Sequence, residues 1–345
     1  MSEPLIEVRN LKKHFPLGKG PFAKKNGRVV KAVDGVSFSI NSGESFGLVG
    51  ESGSGKSTTG RCILNLLKPT SGQVYYDGKP LFDSEKGIAL NKSQMLPFRR
   101  EMQLIFQDPN ASLDPRMTVG AIVEEGIRKH KIAQGAEASK LAGDFLELCG
   151  LERSTAKRYP SEFSGGQKQR IGIARALALR PRFIVADEPL SALDVSIQSQ
   201  VLNLMSELKE KLHLTFLFIS HDLKTVEYFC DKIGVLYLGT LVETGTTPET
   251  MTRPLHPYTQ ALFSAIPPDD PTADNPPRIP MIGEIPSATN MPSGCKFHTR
   301  GPYAVERCAQ EEPQLTCAEG SHCVACHRWK EIAEGCAPTV YTSKE

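Results

Sequence analysis

Ser45-Phe46-Gly47-Leu48-Val49-Gly50-Glu51-Ser52-Gly53-Ser54-Gly55-Lys56-Ser57 joins a short apolar stretch to a glycine-rich run that ends in Lys-Ser. The first five residues read as a buried strand, residues 50–57 have the spacing of a phosphate-binding loop, and a helix is expected at about 56–67. Glycines let backbone N–H groups close around phosphate oxygens without Cβ clashes, and the helix that follows aims its positive end at the same anion. Gly50, Ser52, Gly53, Ser54, Gly55, Lys56, Ser57 and Thr58 are therefore the candidate nucleotide contacts. Lys56 is expected to reach the β- and γ-phosphates, and the Ser57 hydroxyl to ligate Mg²⁺. A chance glycine-rich turn is the bland alternative, and the flanking strand and helix count against it.

Further along, Arg182-Phe183-Ile184-Val185-Ala186-Asp187-Glu188 is an apolar strand that delivers two carboxylates at its end. Adjacent acids can divide the labour, with Asp187 holding Mg²⁺ through water while Glu188 polarises an attacking water. Between these stretches lies Ser164-Gly165-Gly166-Gln167, a second Gly-Gly turn that opens a helix at about 168–179. One nucleotide does not need two such anion-binding ends on one subunit. Two subunits arranged head to tail would use both, each closing over the other's nucleotide.

Around these motifs the chain alternates between types of pattern. Leu5 to Val8, Val29 to Val36 and Val74 to Tyr76 read as strands, the last running into the turn signal Asp77-Gly78. From about 92 to 180 the pattern is helical, with Ala138, Leu141, Phe145 and Leu148 at helical spacing. Strand and helix then alternate to about 250: Phe183 to Ala186, a helix at 194–212, Phe216 to Ile219 and Ile233 to Leu238. Val201, Leu204, Met205, Leu208 and Leu212 put an apolar stripe on that helix. The implied fold is α/β, with parallel strands and an inserted helical subdomain. Expected segments are 1–91 and 181–254 for the nucleotide-binding core, 92–180 for the insertion and 255–345 for a Pro- and Cys-rich extension.

Composition excludes several classes. The 345 residues carry 41 basic and 39 acidic side chains, so no broad basic field exists to hold nucleic acid. The apolar runs are strand-sized, far short of the roughly 20 residues a bilayer span needs. The N-terminus lacks a signal-peptide pattern, so a disulfide framework is not expected. Cys62, Cys149 and Cys230 read as core thiols, while six of the nine cysteines follow residue 290. That cluster suits a metal better than disulfides.

With these motifs in view, the chain resembles the ATPases of ABC transporters, which implies a RecA-like P-loop core with an antiparallel β subdomain and an inserted helical subdomain. Phe106-Gln107-Asp108-Pro109 resembles the loop whose glutamine touches Mg²⁺ and senses membrane subunits. Ser191-Ala192-Leu193-Asp194 resembles the dimer-seam loop, and Ser220-His221-Asp222 the switch histidine at the γ-phosphate. The resemblance implies ATP hydrolysis with Glu188 and His221 as catalytic residues. It makes Ser164 to Gln167 the signature that meets the partner's ATP, with Phe163 where leucine is commoner. Phe15 stands where an aromatic should stack on adenine, with Phe22 as its rival.

Arg253-Pro254-Leu255-His256-Pro257-Tyr258-Thr259 narrows the resemblance to the oligopeptide/dipeptide/nickel importer branch. This implies a second, homologous ATPase subunit in a heterodimer, two integral-membrane permease subunits and an external solute-binding protein. The chain would then sit on the cytoplasmic face of the inner membrane. Peptides are the expected cargo, with nickel complexes as the alternative. A non-transport ABC ATPase is disfavoured, because Ser164 follows Ser57 by only 107 positions and the stretch between them holds no sustained heptads. Some relatives of this branch bind a [4Fe-4S] cluster through four C-terminal cysteines. Cys295, Cys308 and Cys326 match three positions, and Gly301 stands at the fourth. Cys317 or Cys323 could substitute in an iron–sulfur or zinc site, and free thiols with only a structural role stay open as the alternative.

Overall fold

The computed structural model describes residues 3–17, 29–266 and 279–338. Phe22, the rival for adenine stacking, lies outside them, as does much of the proline-rich stretch after residue 266. The chain forms two compact units. One runs through Leu5 and includes Ile40–Ser45 and Leu90–Ser220; the other comprises Ile6–Ser39, Phe46–Ala89 and the residues from His221 onward.

The first unit is built on three parallel strands, Met102–Ile105, Phe183–Asp187 and Thr215–Ile219, with Phe183–Asp187 in the middle. All five residues of Phe183–Asp187 and of Thr215–Ile219 are buried, as strands covered on both faces must be. The register pairs Ala186 with Phe218 and Asp187 with Ile219, so one aligned ladder delivers the acidic end of the strand. Helices Val119–Lys129, Gly135–Leu148 and Gly165–Leu177 pack against one another. The Thr118 hydroxyl caps the first of these at Ala121 N–H.

Three sequence expectations shift here. The block 92–180 contains a strand, Met102–Ile105, which docks in register beside Phe183–Asp187. In Gly135–Leu148 the buried residues are Ala138, Ala142, Gly143 and Leu146, while Leu141, Phe145 and Leu148 are only half-buried. Helix Val195–Leu212 buries Val201, Leu202, Met205 and Leu208, but Leu212 ends the helix 40% exposed.

The second unit carries two sheets. In one, Val29–Ile40, Ile6–Pro16, Ser71–Tyr76, Lys79–Asp83 and Ile88–Ala89 lie side by side in that order. Asp77 and Gly78 both have positive φ, 49° and 70°, which is the two-residue hairpin turn the dipeptide signals. In the other sheet, Ser45–Val49 pairs in parallel with Lys232–Tyr237, which pairs antiparallel with Thr240–Thr246. The hairpin of Thr316–Glu319 and His322–Val324 continues this sheet past Thr240–Thr246. Among the described residues no helix is long and apolar enough to cross a membrane.

A buried acid fastens the C-terminal residues to this sheet. The Glu243 carboxylate, fully buried, accepts hydrogen bonds from Leu255 N–H at 2.7 Å and His256 N–H at 2.8 Å. It also accepts from His322 Nε2 at 2.8 Å. A buried carboxylate is costly unless its lone pairs are satisfied, and here three donors share them.

Candidate functional site

The phosphate-loop motif sits in the second unit, between strand Ser45–Val49 and helix Lys56–Ile63. Gly55 caps the helix with φ 104°, and the N–H groups of the first turn face the loop. Gly50 has φ 144°, and a Cβ added there would lie 2.1 Å from the Leu236 carbonyl oxygen. Only glycine fits this close approach. Lys56 is 5% exposed, and its Nζ donates to the carbonyls of Gly50 at 2.7 Å and Glu51 at 3.0 Å. The ammonium thus closes the loop on itself at the position where phosphate oxygens are expected. Ser52 and Gly53 are exposed, Ser57 and Thr58 half-buried, and Ser54 buried with its carbonyl accepting from Gly239 N–H. Phe15, on Ile6–Pro16, is half-buried beneath the Lys13 ammonium at 4.8 Å.

The first unit gathers another set. Asp187 closes its strand 2% exposed, and Glu188 follows with φ 47°, an uncommon left-handed conformation for a non-glycine residue. The Glu188 N–H donates to the Ile219 carbonyl at 2.9 Å, which pins the turn to the neighbouring strand. Gln107, just past the end of Met102–Ile105, donates from Nε2 to Glu188 Oε2 at 2.9 Å. Two residues 81 positions apart are thereby brought into contact because their strands are parallel neighbours.

Ser164 begins helix Gly165–Leu177 with a reciprocal capping box. Its hydroxyl accepts from Gln167 N–H at 3.3 Å, and Gln167 Oε1 accepts from Ser164 N–H at 3.0 Å. Gly166 is buried, and a Cβ there would meet Ile197 Cγ2 at 2.3 Å, whereas Gly165 is exposed. The signature turn therefore packs directly on the helix that Asp194 begins. Gln198, which no sequence motif marks, holds the 190–194 loop by donating from Nε2 to the Leu190 and Leu193 carbonyls, each at 3.0 Å. Phe163 is buried under the Arg158 guanidinium, 4.6 Å from the ring centre. His221 is exposed in the second unit, just ahead of helix Leu223–Phe229, which Asp222 caps.

The C-terminal cysteines depart from expectation. Cys317 and Cys323 face each other across the Thr316–Glu319/His322–Val324 hairpin and are joined by a disulfide. Neither is then available as a fourth thiolate, and one disulfide exists where none was expected. Cys295, Cys308 and Cys326 line a common cavity with Gly301, but its volume is about 30 Å³, on the scale of a water molecule. Burial pushes the Cys295 thiol up to about 11 and the Cys326 thiol up to about 12. Among the described residues no group of three or more His, Cys, Asp or Glu side chains could hold a metal ion. The expected iron–sulfur or zinc site is not supported: glycine at 301 offers no donor, and Cys317 and Cys323, the two candidates for the fourth ligand, bond each other. Cys62, Cys149 and Cys230 are buried core thiols as read, with burial pushing Cys62 and Cys149 up to about 12.

The motif residues 253–259 also acquire physical roles. His256 begins helix Pro257–Phe263, its Nδ1 accepting from Tyr258 N–H at 3.0 Å, and Pro257 occupies the first helical position. The Tyr258 hydroxyl accepts from Glu51 N–H at 2.8 Å, inside the phosphate loop. No local pattern could have revealed that contact, which spans 207 positions.

Comparison with known proteins places this geometry in context. Residues 33–191 match the family model described as ABC transporter, and residues 242–308 the one described as oligopeptide/dipeptide transporter, C-terminal region. The chain is 51% identical to YkfD of Bacillus subtilis strain 168 over 329 residues, 95% of this chain and 96% of YkfD. It is 50% identical over 328 residues to the oligopeptide transport ATP-binding protein AppF of the same strain, covering 94% of this chain and 97% of AppF. Among solved structures it is similar to the dimeric ATP-binding cassette MJ0796 bound to ADP and Pi. That likeness has a TM-score of 0.61 and 31% identity, over 70% of this chain and 98% of the cassette.

Proposed function

The chain belongs to the ATP-binding subunits of ABC transporters, in the oligopeptide/dipeptide branch, and from that premise we propose how its own residues divide the work of ATP hydrolysis. Its fold is the P-loop ABC ATPase fold, and it is an ATPase that powers peptide import.

The backbone N–H groups of residues 50–58 and the Lys56 ammonium hold the β- and γ-phosphates. Phe15 stacks on adenine. Glu188 polarises the attacking water, and His221 contacts the γ-phosphate. Ser57, Gln107 and Asp187 offer a hydroxyl, an amide carbonyl and a carboxylate, the hard oxygen donors that suit Mg²⁺, which when bound neutralises charge between the β- and γ-phosphates. Ser164, Gly165, Gly166 and Gln167 serve the ATP of a second ATPase subunit, and Asp194 lies at the seam between the two. Two membrane permease subunits carry the pathway, and an external binding protein delivers the peptide. The chain works at the cytoplasmic face of the membrane, held there by the permeases.

The observation that carries the catalytic assignment is the 2.9 Å contact between Gln107 and Glu188. It couples the residue that would sense the permease to the carboxylate that would activate water. Glu188→Gln keeps the shape and removes the base. ATP should still bind while hydrolysis by the assembled transporter falls about 10²-fold or more. A hydrolysis rate near wild type would remove Glu188 from this role.

A further inference from the structure

Glu51 is the one acidic residue within the glycine-rich loop 50–57, where it would stand beside an anionic ligand. Its charge is met from far away in the chain. Arg300 Nη1 donates to Glu51 Oε2 at 2.8 Å and Nη2 to Oε1 at 3.3 Å, a two-pronged pair spanning 249 positions. The Arg300 side chain is 7% exposed and that of Glu51 21%, so water screens the pair weakly. Burial alone would lower the Arg300 pKa, but its paired bonds to the Glu51 carboxylate carry it above the usual arginine value. The guanidinium is charged at any working pH.

Arg300 is itself held in place. Its N–H donates to the Phe297 carbonyl at 3.0 Å, and its carbonyl accepts from Ile282 N–H at 3.3 Å. Phe297 meets Tyr237 edge-on at 5.3 Å and Tyr258 at 5.4 Å, and the two tyrosine rings lie 4.7 Å apart. Tyr258 is fully buried, and burial raises its pKa, so the neutral hydroxyl stays available to accept the Glu51 N–H. One aromatic cluster thus fixes two side chains that both end on Glu51.

We propose that Arg300 and Tyr258 are positioning residues for ATP binding: Arg300 neutralises the loop's own carboxylate, and Tyr258 anchors the loop backbone at the same residue. The proposal rests on residues 50–57 being the nucleotide site, and it gives a role to the C-terminal region that follows the ATPase core. Without the guanidinium, Glu51 would present an uncompensated, partly buried negative charge to the incoming phosphates.

The test measures ATP binding to the purified full-length chain by calorimetry with Mg²⁺, together with the melting temperature of each variant. Arg300→Gln should raise the Kd for ATP on the order of 10-fold, the scale of one lost charge-assisted contact. Arg300→Lys should stay close to wild type. The double variant Glu51→Gln/Arg300→Gln, with a neutral amide pair, should recover most of the affinity, because the repelling charge has gone with the compensating one. A purely structural role would leave the double variant as weak as Arg300→Gln, and that result overturns the proposal. Unchanged affinity in Arg300→Gln also overturns it, provided that Lys56→Ala loses binding. If Lys56→Ala binds ATP normally, the nucleotide-site reading itself fails instead. Should Arg300→Gln not fold, Arg300→Lys is compared with the double variant. Near-equal affinities support charge compensation, and a weak double variant opposes it.

Discussion

At the scale of single residues, the phosphate loop is held as much by what its glycines lack as by what Lys56 donates. Lys56 Nζ spends two hydrogen bonds on the carbonyls of Gly50 and Glu51, bonds that phosphate oxygens can replace. Lys56→Ala should therefore weaken ATP binding by about 1.5–3 kcal/mol, roughly 10- to 150-fold, read by calorimetry. Gly50 makes a sharper case. Alanine there combines φ 144° with a Cβ 2.1 Å from the Leu236 carbonyl, so the strand Lys232–Tyr237 and the loop must move apart. Gly50→Ala should cost about 1–3 kcal/mol of stability and weaken ATP binding as well. Unaltered melting and binding would show that the loop relaxes freely. The placement of Lys56, Asp187 and Glu188 just past buried strands was legible because each motif is local, an apolar strand followed at once by the loop or acids it delivers. Arg300 and Tyr258 were not, because their meaning is a contact with Glu51 across more than 200 positions.

At the scale of elements, the strands around the motifs were readable from their apolar runs, and the hairpin turn at Asp77-Gly78 from its residue types. Met102–Ile105 was missed because four residues of mixed polarity among helices carry no periodicity of their own. The Cys317–Cys323 disulfide was missed because hairpin register, which sets the two side chains opposite each other, is not written in the spacing. Helix Pro257–Phe263 shows how an element can carry a pH dependence. His256 is buried, and its Nδ1 must keep a lone pair to accept Tyr258 N–H. Its pKa is pushed down to about 4, chiefly by burial, with the Glu243 carboxylate pulling the other way. Unfolded histidine titrates near 6.5, so below that pH the unfolded chain takes a proton that the folded chain refuses. Stability is then complete above about pH 6.5 and is lost progressively as pH falls toward 4, by about 3 kcal/mol in all. Asparagine offers the same acceptor to Tyr258 N–H without titrating. The stability gap between wild type and His256→Asn should shift in favour of the variant across that window. A gap that stays constant from pH 7 to 4 would assign the acid sensitivity to other groups.

For the whole molecule, the strand and helix patterns suggested a core split between residues 1–91 and 181–254 around an insertion, and the compact units of the fold likewise interleave segments that are distant along the chain. What the sequence does not show is which short segments join which unit, such as Ile40–Ser45 with Leu90–Ser220, since that is decided by pairing between distant strands. The phosphate loop falls in one unit and the Ser164–Gln167 turn in the other. In the proposed mechanism these two anion-facing turns belong to different nucleotides: the subunit grips its own ATP with the first and closes over its partner's with the second. Gly165 is the position at which to test this. Gly166 is packed on Ile197 and tolerates no side chain, but a Cβ at the exposed Gly165 would meet only Leu193 Cδ2 at 3.4 Å, an ordinary contact. An acidic side chain in the first turn of helix Gly165–Leu177 is also favoured by the helix dipole, so Gly165→Asp should fold as well as wild type. Its carboxylate would face the partner's γ-phosphate and repel it. The isolated subunit should keep its ATP affinity, while ATP-driven association with the partner subunit and hydrolysis in the assembled transporter should collapse. If the isolated Gly165→Asp protein instead loses ATP as severely as Lys56→Ala does, both turns serve one nucleotide and the head-to-tail arrangement is wrong.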